Sequence, residues 1–147
     1  MLLKKIIAGA MAVVLIEAGA YANCTVNATG VNFGDYLMQN ASPTDGAGSL
    51  TIECRNNEAN VQVALSTGQS GTYSGRIMRG GAENMRYNLF TNVARTTIWG
   101  DNSAGTTQVN LTKVKNPITI PIYGRIPIGQ NLSTGIYNDP IFVTITF

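Results

Sequence analysis

The last ten residues, Asn138-Asp139-Pro140-Ile141-Phe142-Val143-Thr144-Ile145-Thr146-Phe147, place the tightest limit on the fold. From Ile141 onward, Ile141, Val143, Ile145 and Phe147 alternate with Phe142, Thr144 and Thr146. This is a period of two in mostly β-branched residues, so the burial pattern and the local backbone preference both specify a strand with one face in a core. The sequence reaches Phe147 still apolar, and an apolar strand at a sheet edge has to be covered by something. What covers it is the functional question.

The first residues read as an export leader. Lys4 and Lys5 form a basic start, Ile6 to Ile16 an apolar stretch, and Ala20-Tyr21-Ala22 offers small residues at the two positions a signal peptidase reads. Residues 1–22 are therefore expected to be removed, leaving 23–147 as one domain, exported to the periplasm and onward to the cell surface or outside. The apolar stretch is too short for a spanning helix, and no later segment resembles one. The chain has ten basic and eight acidic residues, and eight against seven once Lys4, Lys5 and Glu17 are gone. So small an excess gives no basis for a nucleic-acid partner or an anionic-membrane partner.

Two cysteines occur, Cys24 and Cys54. In an oxidising compartment two thiols on neighbouring strands are most simply a disulfide, worth about 3–4 kcal/mol for a loop of this length on the chain-entropy model.

Between the cysteines and the last strand the text is short alternating runs broken by Gly, Asn, Ser, Thr and Pro. Cys24 to Val31 and Phe33 to Tyr36 predict an opening strand broken near Gly30 or Gly34, and Asn40 to Gly48 predicts a turn-rich loop. Leu50, Ile52 and Cys54, then Val61, Val63 and Leu65, predict two strands joined by the polar turn 55–60. Gly68 to Gly81 carries five glycines and reads as a long loop or irregular hairpin. Strands follow at Met85-Tyr87-Leu89, at Val109-Leu111 and at Ile118-Ile120-Ile122. No stretch after residue 22 sustains a helical period, so the fold is all-β, with strands at the spacing of a β-sandwich.

Catalysis finds little to work with. The chain has no histidine, which removes the usual triads and the commonest metal ligand, so no metal or other cofactor is expected. Asp35, Asp45, Glu53, Glu58, Glu83, Asp101 and Asp139 are scattered and form no recognisable pair, and they read as solvated or turn-capping acids. No enzyme is expected. Trp99, the one tryptophan, has two readings: with Ile98 it forms an exposed loop that anchors a ligand or surface, or it caps one end of the core. Leu37-Met38 and Pro117-Ile118 extend an apolar tip if their loops meet. Asn27, Asn40, Asn110 and Asn131 head Asn-x-Ser/Thr triplets, which matter only in a host that glycosylates them.

The run Cys24-Thr25-Val26, then Val31-Asn32-Phe33-Gly34-Asp35-Tyr36 and Gly48-Ser49-Leu50-Thr51-Ile52-Glu53-Cys54, resembles the opening of spore coat protein U domains. Arg76-Ile77-Met78, Tyr87-Asn88-Leu89-Phe90-Thr91, Trp99-Gly100-Asp101, Tyr123-Gly124-Arg125-Ile126-Pro127 and Gly135-Ile136-Tyr137-Asn138-Asp139 carry the resemblance through the rest of the chain. That family includes subunits of archaic, Csu-type chaperone–usher pili used in biofilm attachment. The resemblance implies an immunoglobulin-like sandwich lacking its last strand, completed by a donor strand from a periplasmic chaperone and later from a neighbouring pilin, with an outer-membrane usher as a further partner. Ile141, Val143, Ile145 and Phe147 would then help form the strand-complementation groove.

Polymerising members carry an alternating apolar extension before the first cysteine, and here Cys24 is the second residue after the expected leader. This chain is thus expected to accept a strand without lending one, as a subunit at or near a fibre tip. The alternative is a stand-alone spore-coat or extracellular protein whose sandwich is self-complete and whose loops, Ile98 to Ser103 among them, bind polysaccharide or surfaces. A hydrolase is the least supported class.

Overall fold

A computed structural model describes residues 6–17 by their backbone, and residues 23–55 and 59–147. The expected cleavage point at Ala20-Tyr21-Ala22 lies outside the described residues. The strands are β1 (Ile6–Glu17), β2 (Asn23–Tyr36), β3 (Thr44–Arg55), β4 (Ala59–Leu65), β5 (Arg76–Gly80), β6 (Glu83–Phe90), β7 (Val109–Val114), β8 (Ile118–Ile126) and β9 (Gly135–Thr146), with one short 3-10 turn at Gly68–Ser70. Their hydrogen-bonded order is β1-β2-β3-β8-β6-β5-β9-β4-β7, and a further pairing of β1 with β9 closes the ring. Every pairing is antiparallel except that of β1 with β9.

The result is an all-β, immunoglobulin-like sandwich. The layer β2-β3-β8-β6-β5 faces the layer β9-β4-β7, and a single bridge, Arg79 to Asn138, joins them at the β5–β9 corner. Alternation makes the core. In β4, β6 and β9 every second residue is buried, so Val61, Val63 and Leu65, Met85, Tyr87 and Leu89, and Ile141, Val143 and Ile145 converge on one interior. Cys24 and Cys54 are directly opposed on β2 and β3 and form the disulfide.

Three sequence expectations shift in detail. The predicted break near Gly30 or Gly34 is a register slip within a continuous β2, between Thr29 and Asn32, with Gly34 at φ +67°. The loop predicted from Asn40 to Gly48 is shorter, because β3 starts at Thr44 and pairs on both sides, with β2 and β8. Glycine permits this: a Cβ on Gly48 would meet the Thr29 carbonyl oxygen at 2.5 Å, so the two backbones can close only without one. Within the glycine-rich segment 68–81, Arg76–Gly80 forms β5 and hairpins with β6.

Candidate strand-accepting site

Strand β9 presents Tyr137, Asp139, Ile141, Val143 and Ile145 inward and Ile136, Asn138, Phe142 and Thr146 outward. One of its edges is held by neighbours in the fold, with β4 pairing from Leu65↔Val143 to Gln62↔Thr146 and β5 touching at Asn138. Its other edge is a single uninterrupted template. Along it β1 runs parallel, from Ile6 opposite Gly135 to Glu17 opposite Thr146, twelve consecutive residues. On its far side β1 is tied to β2 only near its start, from Ile6↔Tyr36 to Gly9↔Asn32. The strand expected to be a leader therefore lies in a slot between the first and last strands of the remaining domain.

The floor of this slot is apolar. Gly30 and Val31 of β2, Ile122 of β8 and Leu89 of β6 face Leu65 of β4 and Ile141 and Val143 of β9 across a small void between the layers. Of the four residues expected to form the groove, Ile141, Val143 and Ile145 are buried, while Phe147 lies just past the end of β9 and packs half-buried against the core. An edge of this length offers the N–H and C=O groups of about every second one of its twelve residues along one side, and it stands over side chains each worth about 1.5–3 kcal/mol when withdrawn from water.

The surface-anchor reading of Trp99 is overturned. Its side chain is 0% exposed and its Nε1 donates to the Val63 carbonyl at 3.0 Å. The cause is backbone pairing that sequence did not reveal. Trp99 N–H donates to the Leu89 carbonyl at 2.9 Å, Leu65 N–H donates to the Gly100 carbonyl at 3.3 Å, and Trp99 bridges Thr107. The segment 98–100 is thereby sewn between β6 and β4, which turns the indole into the core and leaves Ile98 half-buried.

A buried polar cluster supports the middle of β9, and the sequence reading missed it. Asp139 and Arg76 are both 0% exposed. Asp139 accepts the Tyr87 hydroxyl at 2.6 Å on Oδ2 and the Gln69 N–H at 2.8 Å on Oδ1, so it caps the short turn at 68–70 from inside the protein and not from solvent. Burial, and then the neighbouring Asp139 carboxylate, push the Tyr87 hydroxyl far above its ordinary value, which keeps it a proton donor. Arg76 donates to the Ser66 carbonyl at 2.7 and 3.0 Å, the Trp99 carbonyl at 2.7 Å and Asn88 Oδ1 at 2.9 Å. Ser66 Oγ in turn accepts the Phe142 N–H at 2.9 Å. Buried charges need this many partners. One signal for them was present: Arg76 is in phase with Met78, and Asp139 with Ile141, so both occupy inward positions of their strands.

This arrangement ties β9 to β6 and to the turn at 68–70. Asp45 and Asp101 are both held below the usual carboxylate range, Asp45 chiefly by the Arg125 guanidinium and Asp101 by the Ser103 hydroxyl and N–H, and both sit at the surface. Among the described residues no group of three or more His, Cys, Asp or Glu could hold a metal. No helix of the described residues is long and apolar enough to cross a membrane.

Residues 10–144 match the model of the Spore Coat Protein U domain. The chain belongs to the Spore Coat Protein U domain family. It is 32% identical over 133 residues to Protein U of Myxococcus xanthus, a match that takes in 80% of this chain and 71% of that one. Among solved structures it resembles a chain of the CsuC–CsuE chaperone–tip adhesion subunit pre-assembly complex from the archaic chaperone–usher Csu pili of Acinetobacter baumannii, at a TM-score of 0.60 and 22% identity. That likeness covers 86% of this chain and only 40% of the other, and it concerns the fold. As a Spore Coat Protein U domain the chain has the sandwich its motifs implied, with the disulfide at the start of β2.

Proposed function

We propose that this Spore Coat Protein U domain is an exported, structural and adhesive subunit of a chaperone–usher fibre, and that the slot between β2 and β9 takes a strand lent by a partner once residues 1–22 are removed. The observation that carries this reading is the edge of β9, free of the domain's other strands from Gly135 to Thr146 and paired instead with residues 6–17. An edge that takes one extended segment over twelve residues has the geometry to take another, with main-chain bonds giving affinity and inward pockets giving register. The chaperone–subunit complex in which a similarly folded chain occurs supports a chaperone as the first lender, with an usher and a neighbouring subunit following. With Cys24 the second residue after the expected cleavage point, a chain cleaved there would accept a strand without lending one, which suits a place at or near a fibre tip and a part in attachment or biofilm formation.

A second reading rests on the same strand. In the structure residues 6–17 close the sandwich in cis, so a chain that keeps them would be self-complete and act alone at a cell surface or spore coat. Purification of the exported chain separates the two. A chain beginning at Asn23, in a one-to-one complex that a strand-lending peptide can displace, supports the acceptor. A chain that keeps residues 6–17 and stays a monomer indifferent to added peptide overturns it in favour of the self-complete protein.

A further inference from the structure

The outer face of β5, β6 and β8 carries a row of arginines that neither the core nor the slot uses. Residues directly opposed in an antiparallel pair share a face, and here Arg79 opposes Asn84, Ile77 opposes Arg86 and Asn88 opposes Arg125. Arg79, Arg86 and Arg125 therefore stand on one face at successive diagonal positions, about 7–8 Å apart. Arg95, from the loop after β6, joins the same row. Its Nε donates to the Gly124 carbonyl at 3.0 Å and its guanidinium lies 5.5 Å from the Tyr123 ring centre. Four of the eight basic residues that follow the expected leader are gathered here.

Among the described residues one acid pairs with them. Asp45 accepts from Arg125 at 2.7 and 3.0 Å and lies 3.4 Å from Arg95. Arg79 and Arg86 are exposed and have no acidic partner among the described residues. Arg86 and Arg125 also line a shallow cleft with Ser74, Phe90 and Pro127.

Guanidinium forks match carboxylates two bonds at a time, and charges spread along three strands suit a chain of repeated anions better than a single ion. The fringe of the row is Ser74, Asn84 and Asn138, groups that hydrogen-bond hydroxyls. Nucleic acid fits less well, because the net charge is close to zero and the ring beside the row, Tyr123, is covered by Arg95 rather than open for base stacking. We propose that this face binds an acidic polysaccharide through its carboxylates, with Arg79 and Arg86 as the unpaired contacts and Arg125 and Arg95 restrained by Asp45. The face borders the slot only at Asn138, which pairs with Arg79 on one side and with Gly9 on the other; Arg86, Arg95 and Arg125 lie on β6, the loop after it and β8, beyond β5.

The test titrates the exported chain, isolated with the strand that fills its slot, with polygalacturonate at low and physiological salt, using dextran as the neutral control and single-stranded DNA as competitor. Polygalacturonate is expected to bind and dextran not to. Arg79→Gln with Arg86→Gln should weaken binding about tenfold or more, while Lys113→Gln with Lys115→Gln, the same loss of charge elsewhere, should change it by less than about twofold. Asp45→Asn, which releases two arginines, should tighten it. Failure to bind, equal losses from the two double variants, equal binding of dextran, or tighter binding of DNA would each overturn the proposal. Thermal melting within a few degrees of wild type, expected for exposed strand positions, shows that each variant is folded.

Discussion

Replacing Trp99 by Ala separates a core tryptophan from a surface anchor. The indole is fully buried, so truncation costs about 3–5 kcal/mol through lost transfer from water and the cavity left behind. Removing the Nε1–H that reaches the Val63 carbonyl adds about 1 kcal/mol. The sum is a large part of the roughly 5–15 kcal/mol that holds a domain of this size together. With each kcal/mol worth about 3–5 °C at this length, the melting temperature should fall by about 10–30 °C, or the chain should not accumulate. Trp99→Phe keeps most of the ring and loses the donor, so it should cost about half as much or less. The assay is thermal unfolding of the exported, strand-filled chain by circular dichroism, with attachment to a test surface measured on the same samples. An Ala variant that melts within a few degrees of wild type while attachment falls would refute the reasoning, because the indole would then face solvent.

The remaining expectations follow from the slot, a buried hydroxyl and the disulfide. Val143→Asp places a carboxylate on the slot floor and should weaken strand capture by about 100-fold or more, whereas Phe142→Asp, on the outward face of the same strand, should leave capture within about tenfold; equal effects in a peptide-exchange assay would mean the slot is not where the strand binds. Burial, and then its bond to Glu83, push the Tyr137 hydroxyl up to about 12. A tyrosine raised in the folded state contributes stability that is whole below its unfolded value of about 10 and is lost as pH rises from there through about 12. Urea unfolding should show that alkaline loss in wild type and less of it in Tyr137→Phe; identical alkaline slopes would contradict the account. Reducing the Cys24–Cys54 bond should lower stability by about 3–4 kcal/mol, and an unchanged urea midpoint would show that the β2–β3 pairing does not need it.

Much of the architecture was legible because alternation is a local signal. Val61-Val63-Leu65, Met85-Tyr87-Leu89 and Ile141-Val143-Ile145 each state their buried face without reference to any other strand. In the sequence Asp139 reads as one of the solvated or turn-capping acids, and Arg76 carries no reading of its own, for the converse reason: a charged side chain in an inward position is stable only if distant segments bring it partners, and those partners, Ser66, Asn88, Tyr87 and Gln69, come from other elements. Trp99 was ambiguous on the same ground. Nothing beside it says that Leu89 and Leu65 will hydrogen-bond the segment 98–100 from either side and draw the ring inward.

The sequence by itself determined an all-β chain, one disulfide, and a last strand with an apolar face that must be covered, since each depends on residue type and spacing of two. Only the tertiary structure decided that the layers leave a slot between β2 and β9, that an extended segment of this same chain can lie in it parallel to β9, and that four arginines from three strands and a loop share one outer face. Those are matters of register and layer order, set by which strands meet across the sandwich, and residues far apart in a sequence carry no mark of the neighbours that folding gives them.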